Sequence, residues 1–165
     1  MEIRPERPEE APLIRRVNES AFGQPDEADI VDRLRGSPHW IDELSLVAVD
    51  SGELVGHLLL STVTLDAGID VLALAPMAVV PQRQRQGVGS ALVREALARA
   101  ATTKFPLIIV VGHPEYYPRF GFEAAAERGV SAPFPVPDQA WMLYRLPRYD
   151  SAIRGRVVYP PAFGL

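Results

Sequence analysis

Cysteine is absent from all 165 positions, which excludes disulfides, thiolate metal sites and a cysteine nucleophile. No apolar run approaches the roughly 20 residues that span a bilayer, and Met1-Glu2-Ile3-Arg4-Pro5-Glu6-Arg7 lacks the apolar core of a secretory leader. These absences lead us to expect a soluble protein of a reducing compartment, the cytoplasm by default, with no membrane partner. Charge of one sign is not in large excess: the net charge of −4 argues against a general nucleic-acid binder and mildly favours cationic partners. No internal repeat occurs, and no linker is long or polar enough to divide the chain, so one domain is expected over residues 1–165. With 47% hydrophobic residues the chain can offset its folding entropy by burying a core.

What is present is a hydrophobic period that changes along the chain. Leu13, Ile14, Val17 and Ala21 recur at helical spacing, and Ile30, Val31 and Leu34 repeat the pattern after the connection Phe22-Gly23-Gln24-Pro25. Leu44 to Val49 and Leu54 to Val63 are β-rich runs joined by Asp50-Ser51-Gly52-Glu53, which has hairpin turn chemistry. A second turn, Asp66-Ala67-Gly68, leads into Val71 to Val80, apolar on both faces like a central strand. Pro76 interrupts that run, and because proline cannot donate to a ladder, a bulge or break is expected there. From Ser90 to Thr102, Leu92, Val93, Ala96, Leu97 and Ala100 share one helical face, with Arg94, Glu95 and Arg99 opposite. Leu107 to Val111 then reads as a parallel strand reached through that helix. Tyr116 to Phe122 suggests one helical turn and a strand, Trp141 to Leu146 a last strand, and the segment from Pro147 onward an irregular tail.

The strongest chemical signal is the loop Gln84-Arg85-Gln86-Gly87-Val88-Gly89 between an apolar strand and an amphipathic helix. A helix N-terminus offers unpaired N–H groups and about half a unit of positive charge, and two glycines let a phosphorylated ligand approach the backbone. Arg83 and Arg85 add cationic side chains. A P-loop would end in Gly-Lys-Ser/Thr, and a dinucleotide fingerprint needs a third Gly or Ala where Leu92 stands; neither pattern is present. On spacing alone, an ordinary glycine-containing connection on a basic surface is the competing reading.

Val79-Val80-Pro81 followed by Gln84-x-x-Gly87-x-Gly89-Ser90-Ala91-Leu92 resembles the acetyl-CoA-binding signature of the GCN5-related N-acetyltransferases (GNATs). Tyr117-Pro118-Arg119-Phe120-Gly121-Phe122 is similar to the Tyr-x-x-x-Gly-Phe element that follows the next strand in that family. Each element alone is moderately specific; in order, with strand, helix and strand arranged around them, they are strong. The resemblance covers residues 2–146 and leaves 147–165 as a C-terminal extension. More narrowly, Val55-Gly56-His57 and the run from Gly112 to Phe122 look like a bacterial subgroup of predicted N-acetyltransferases.

The resemblance implies an α/β architecture, the acyl-CoA N-acyltransferase fold: a mixed, mostly antiparallel sheet splayed between strands 4 and 5, with helices on both faces. It implies acetyl-CoA as co-substrate, no metal, and direct transfer to a primary amine on an unidentified small molecule or protein, in a protein that forms a homodimer in many relatives. Main-chain groups of Met77, Ala78 and Val79 would pair with the pantetheine arm, and Gln84, Arg85, Gln86, Gly87, Val88, Gly89 and Ser90 would hold the pyrophosphate. An N–H of Ala78 or Met77 beside the break would polarise the thioester carbonyl, and Tyr117 would return a proton to the departing thiolate. Read without the family, Tyr117 is a half-buried packing residue and Tyr116 belongs to the core.

The general base has no such signature, because the run Val71 to Val80 contains no acid where many relatives carry a glutamate. His57 is a candidate if it faces the cleft and a packed histidine otherwise; Asp70, Glu27 and His113 are lesser candidates. The missing glutamate also motivates a second reading, a CoA-binding sensing module without turnover. A third is an acyltransferase using a longer acyl-CoA, decided by the room that Leu74, Met77 and Ile109 leave. Trp40, Phe134, Trp141, Tyr144 and Phe163 would form either an acceptor wall or core, and Glu27, Asp29, Asp32, Asp42 and Glu43 either a lure for a cationic amine or a solvated face.

Overall fold

A computed structural model describes residues 1–165. Strand β1 (Glu2–Pro5) pairs antiparallel with β2 (Ser45–Asp50), β2 with β3 (Glu53–Leu65), and β3 with β4 (Asp70–Val79). Strand β5 (Leu107–Val111) runs parallel to β4, and β8 (Trp141–Arg145) lies antiparallel between β5 and the short β6 (Glu123–Ala124). Helices α1 (Ala11–Phe22) and α2 (Asp26–Arg35) precede β2, and α3 (Val88–Ala100) joins β4 to β5.

Alternation along the strands sorts the core into two layers. Leu58, Leu60, Leu72 and Leu74 pack with Val88, Leu92, Val93 and Ala96 of α3. Leu59, Val63, Val71 and Ala73 pack with Ile14 of α1 and Val31 and Leu34 of α2. Side chains of a strand alternate between faces, so a sheet covered by helices on both sides needs central strands that are apolar at every position. That is why the Val71 to Val80 run shows no polar phase.

The sheet splays where the family resemblance puts the break. Strands β4 and β5 pair only at Leu72↔Ile108 and Ala73↔Ile109. Across β3 the register passes from Leu60↔Leu74 to Leu58↔Met77, so Ala75 and Pro76 together oppose Leu59. This is a bulge, and Pro76, which has no N–H for the ladder, accounts for it. Strand β5 meanwhile stays with β8 along its whole length, from Leu107↔Arg145 to Val111↔Trp141. One strand bends away while its neighbour is held, and the two part.

Two findings depart from the sequence expectation. β1 is a separate strand that the sequence pattern does not mark, because at 4 residues it is too short to show an alternation. The tail is not irregular throughout: β9 (Gly155–Val158) pairs with β3 at Thr64↔Val158 and Leu65↔Val157, and in parallel with β7 (Val130–Ser131). Pro147, Pro160 and Pro161 flank this strand rather than interrupt it, so no ladder bond is lost. Val157 and Phe163 are buried, and the core therefore extends past residue 146. No helix is long and apolar enough to cross a membrane.

Candidate active site

Where β4 and β5 part, a cleft of about 940 Å³ opens. Met77 and Val79 line it from β4; Arg83, Gln84, Arg85, Gly87, Gly89 and Ser90 from the following loop and first turn of α3; His113, Glu115, Tyr116 and Arg119 from the turn after β5. The orientation of the β4 backbone follows from its pairing. The Val80 N–H bonds to the Val55 carbonyl at 3.0 Å, and along an antiparallel strand the main-chain groups point alternately to the partner and away from it. Ala78, in register with His57, thus directs its N–H and C=O to β3. Met77 and Val79 turn theirs toward the cleft. Of the two expected donors near the break, Met77 has the cleft-facing N–H, and Ala78 does not. The Val79 carbonyl is already met by the Gln84 side-chain amide at 3.0 Å.

The loop is braced by its own side chains. Arg83 pairs with Asp50 at 2.7 Å and donates to Gln86 Oε1 at 3.2 Å, and Gln86 donates in turn to the Gln82 carbonyl at 3.1 Å. The chain then passes through left-handed conformations at Arg85 (φ 62°) and Gly87 (φ 87°) before α3 begins, and no side chain caps that helix. Its first N–H groups stay available to a ligand. Val88 is buried against Gly56, so it offers the cleft only its backbone. Gly89 lies close to the facing wall: a Cβ there would sit 3.2 Å from Tyr116 Oη, a tight contact that the tyrosine would have to yield to, and 3.5 Å from Met77 Cε. Gln84 and Gln86 thus shape the loop, while its backbone and Arg85 face outward.

The two adjacent tyrosines take different places. Tyr117 is 7% exposed, packed edge-on against Phe122 and Tyr116 at ring distances of 5.4 and 5.1 Å. Its ring lies so close to Gly112 that a methyl group there would overlap it. Burial, with Tyr116 beside it, pushes the Tyr117 hydroxyl well above its ordinary pKa, which keeps the proton on the oxygen. Tyr116, expected in the core, instead borders the cleft, with its hydroxyl 3.3 Å from Ser90 Oγ. Nothing in the local sequence distinguishes the two, since both rings have aromatic neighbours; the 3₁₀ turn Tyr117–Phe120 sets which one faces outward.

His57 does not reach the cleft. It is 0% exposed and points to the α1 face, where Asn18 Nδ2 approaches its Nδ1 at 3.2 Å and Ser45 Oγ its Nε2 at 2.9 Å. Ser45 donates its own proton to Glu6, and Arg35 holds the Glu6 carboxylate at 3.0 Å. One proton arrangement satisfies all of these contacts: Asn18 donates to Nδ1, and Nε2–H donates to Ser45. Desolvation, and then the charge of Arg35, lower the His57 pKa to about 3. A neutral, sealed imidazole has no route to an incoming amine, so His57 is structural. Asp70 is exposed at the far end of β4, bonded to Thr64, and Glu27 pairs with Gln24. Of the four base candidates only His113 borders the cleft.

An open strand edge that leads into a glycine turn at a helix N-terminus, with Tyr116 on the facing wall and Tyr117 buried against it, is an arrangement suited to acyl transfer from a phosphorylated carrier. The family model for the acetyltransferase (GNAT) domain matches residues 2–125, and the chain belongs to this family. It is similar to the uncharacterized N-acetyltransferase YjhQ of Escherichia coli K12, 36% identical over 151 residues, covering 87% of this chain and 83% of YjhQ. The crystal structure of E. coli YhbS in complex with CoA matches with a TM-score of 0.90 at 30% identity, covering 99% of this chain and 92% of YhbS. A GNAT family acetyltransferase from Brucella melitensis in complex with acetyl-CoA matches with a TM-score of 0.81 at 32% identity, covering 98% and 97%.

Proposed function

We propose that the chain transfers an acetyl group from acetyl-CoA directly to a primary amine. The observation that carries this is the continuity of the cleft wall: the backbone edge at Met77 and Val79 leads through Gln84–Gly87 to the uncapped N-terminus of α3. Such a wall matches a ligand with an amide-containing arm at one end and a pyrophosphate at the other. The CoA bound to YhbS and the acetyl-CoA bound to the Brucella relative support the same assignment. The thioester supplies an activated acetyl group. Met77 would orient its N–H toward the carbonyl oxygen, Gly87 to Ser90 would bind the pyrophosphate through their amides, and Tyr117 would hold the proton that the sulfur needs on leaving. With His57 sealed, the ammonium of the acceptor would lose its proton to water at the cleft mouth or to His113. The acceptor is a small-molecule or protein amine, and the setting is the cytoplasm, with a homodimer as the assembly.

Calorimetric titration with acetyl-CoA, followed by thiol release across a panel of amines, tests the proposal. One-to-one binding with thiol release is the expected outcome. Binding without release on any amine would favour a CoA-sensing module, and no binding would overturn the assignment of the cleft.

A further inference from the structure

The cleft contains three guanidinium groups in three different situations. Arg83 is tied to Asp50 at 2.7 Å and to Gln86, so it acts as a brace with its charge matched. Arg85 belongs to the loop itself and enters the left-handed region one residue before Gln86 and two before Gly87. Its charge therefore sits with the amides at the start of α3. Arg119 stands on the other wall, in the turn after β5, and forms no ion pair within the chain.

Arg119 shares this lack of a carboxylate partner with Arg94 and Arg148, among others, while several surface arginines are matched as Arg83 is. Arg15 engages Asp29, Asp32 and Glu19, and Arg128 and Arg145 share Glu123. Arg119 is nevertheless held in place. Its guanidinium lies 4.9 Å from the centre of the Tyr116 ring, and the Tyr116 hydroxyl is fixed to Ser90 Oγ at 3.3 Å. A cation over an aromatic face keeps its in-plane N–H donors free. The wall thus presents an oriented, unmatched fork.

Building on the CoA reading of the cleft, we propose that Arg119 binds the ribose 3′-phosphate of CoA and makes the protein select CoA over 3′-dephospho-CoA. CoA carries two separate anionic groups, and the cleft has two guanidinium groups without carboxylate partners, on opposite walls. The loop amides and Arg85 suit the pyrophosphate, which leaves the terminal phosphate for Arg119. A phosphate monoester accepts two parallel N–H bonds from a guanidinium, a charge-assisted contact stronger than a neutral hydrogen bond.

The test is calorimetric titration of CoA and 3′-dephospho-CoA, at one fixed ionic strength, into wild type, Arg119→Ala, Arg119→Lys and Arg85→Ala. Wild type should prefer CoA by about tenfold or more, as expected for one charge-assisted contact. Arg119→Ala should reduce CoA affinity to that of the dephospho form and leave the latter within about twofold of wild type. Arg119→Lys should retain part of the preference, and Arg85→Ala should weaken both ligands alike. Equal weakening of both ligands by Arg119→Ala, or no preference in wild type, would overturn the assignment while leaving the CoA cleft intact. Failure of wild type to bind either ligand would overturn the CoA reading itself, and this inference with it.

Discussion

His57 directs Nε2–H to Ser45 and a bare Nδ1 to Asn18, so a second proton would set donor against donor. The folded pKa is near 3, against an ordinary value of 6.5. Between these values the unfolded chain takes up a proton that the folded chain refuses. Stability therefore falls as pH drops through this window, by up to about 1.4 kcal/mol per pH unit from this group. Glu10 acts at lower pH: its hydrogen bonds to Arg4 lower its pKa below 4.5, so its contribution is lost only below that value. Urea midpoints measured from pH 7 to 4 should show the loss, and His57→Gln should flatten it; an unchanged slope would remove His57 as its source. Tyr117 makes the complementary case, a group whose burial keeps a proton on rather than off. Tyr117→Phe should lower kcat by about 100-fold, a typical contribution of general acid catalysis, with acetyl-CoA affinity unchanged. A variant with full activity would return Tyr117 to a packing role.

Strand β4 and the loop that follows it were legible in the sequence because each carries a residue that breaks a local rule. Pro76 lies within an apolar strand, and Gly87 and Gly89 open an otherwise good helix; both deviations mark the cleft. Glycine at position 89 has a measurable consequence: Gly89→Glu should reduce acetyl-CoA affinity by about 100-fold or more by placing volume and negative charge at the α3 N-terminus. Titration of the purified variant checks this, with circular dichroism to establish that it is folded. Other features left no such mark. His57 lies on a strand whose two faces are both covered, so the letters around it do not tell which helix lies over it; the Asn18 and Glu6 contacts come from distant parts of the chain. Tyr116 and Tyr117 are separated by the geometry of a 3₁₀ turn, and β9 by long-range pairing with residues far earlier in sequence.

The whole chain is tied together by its last residues. Phe163 packs into the layer beneath α1 and α2, its ring 4.9 Å from that of Tyr159, while Arg33 of α2 donates to the Ala162 carbonyl at 2.8 Å. Phe163→Ala should cost about 3 kcal/mol and lower Tm by about 6–12 °C. Acetyl-CoA affinity at 25 °C should not change, because Phe163 lies in the layer opposite α3; calorimetry of both quantities would reveal any coupling between tail and cleft. The parting of β4 from β5 has its own consequence at this scale. It leaves a bare margin inside the sheet, of the kind that invites a foreign strand when it lies at an outer edge. Any molecule that lies along Met77 to Val79 closes that margin and binds only the folded chain. At a hundredfold excess over its dissociation constant it would add about 2.7 kcal/mol to stability. The cell's stock of the acyl carrier would then act as a folding reserve, and its depletion would lower the protein's stability as well as its turnover.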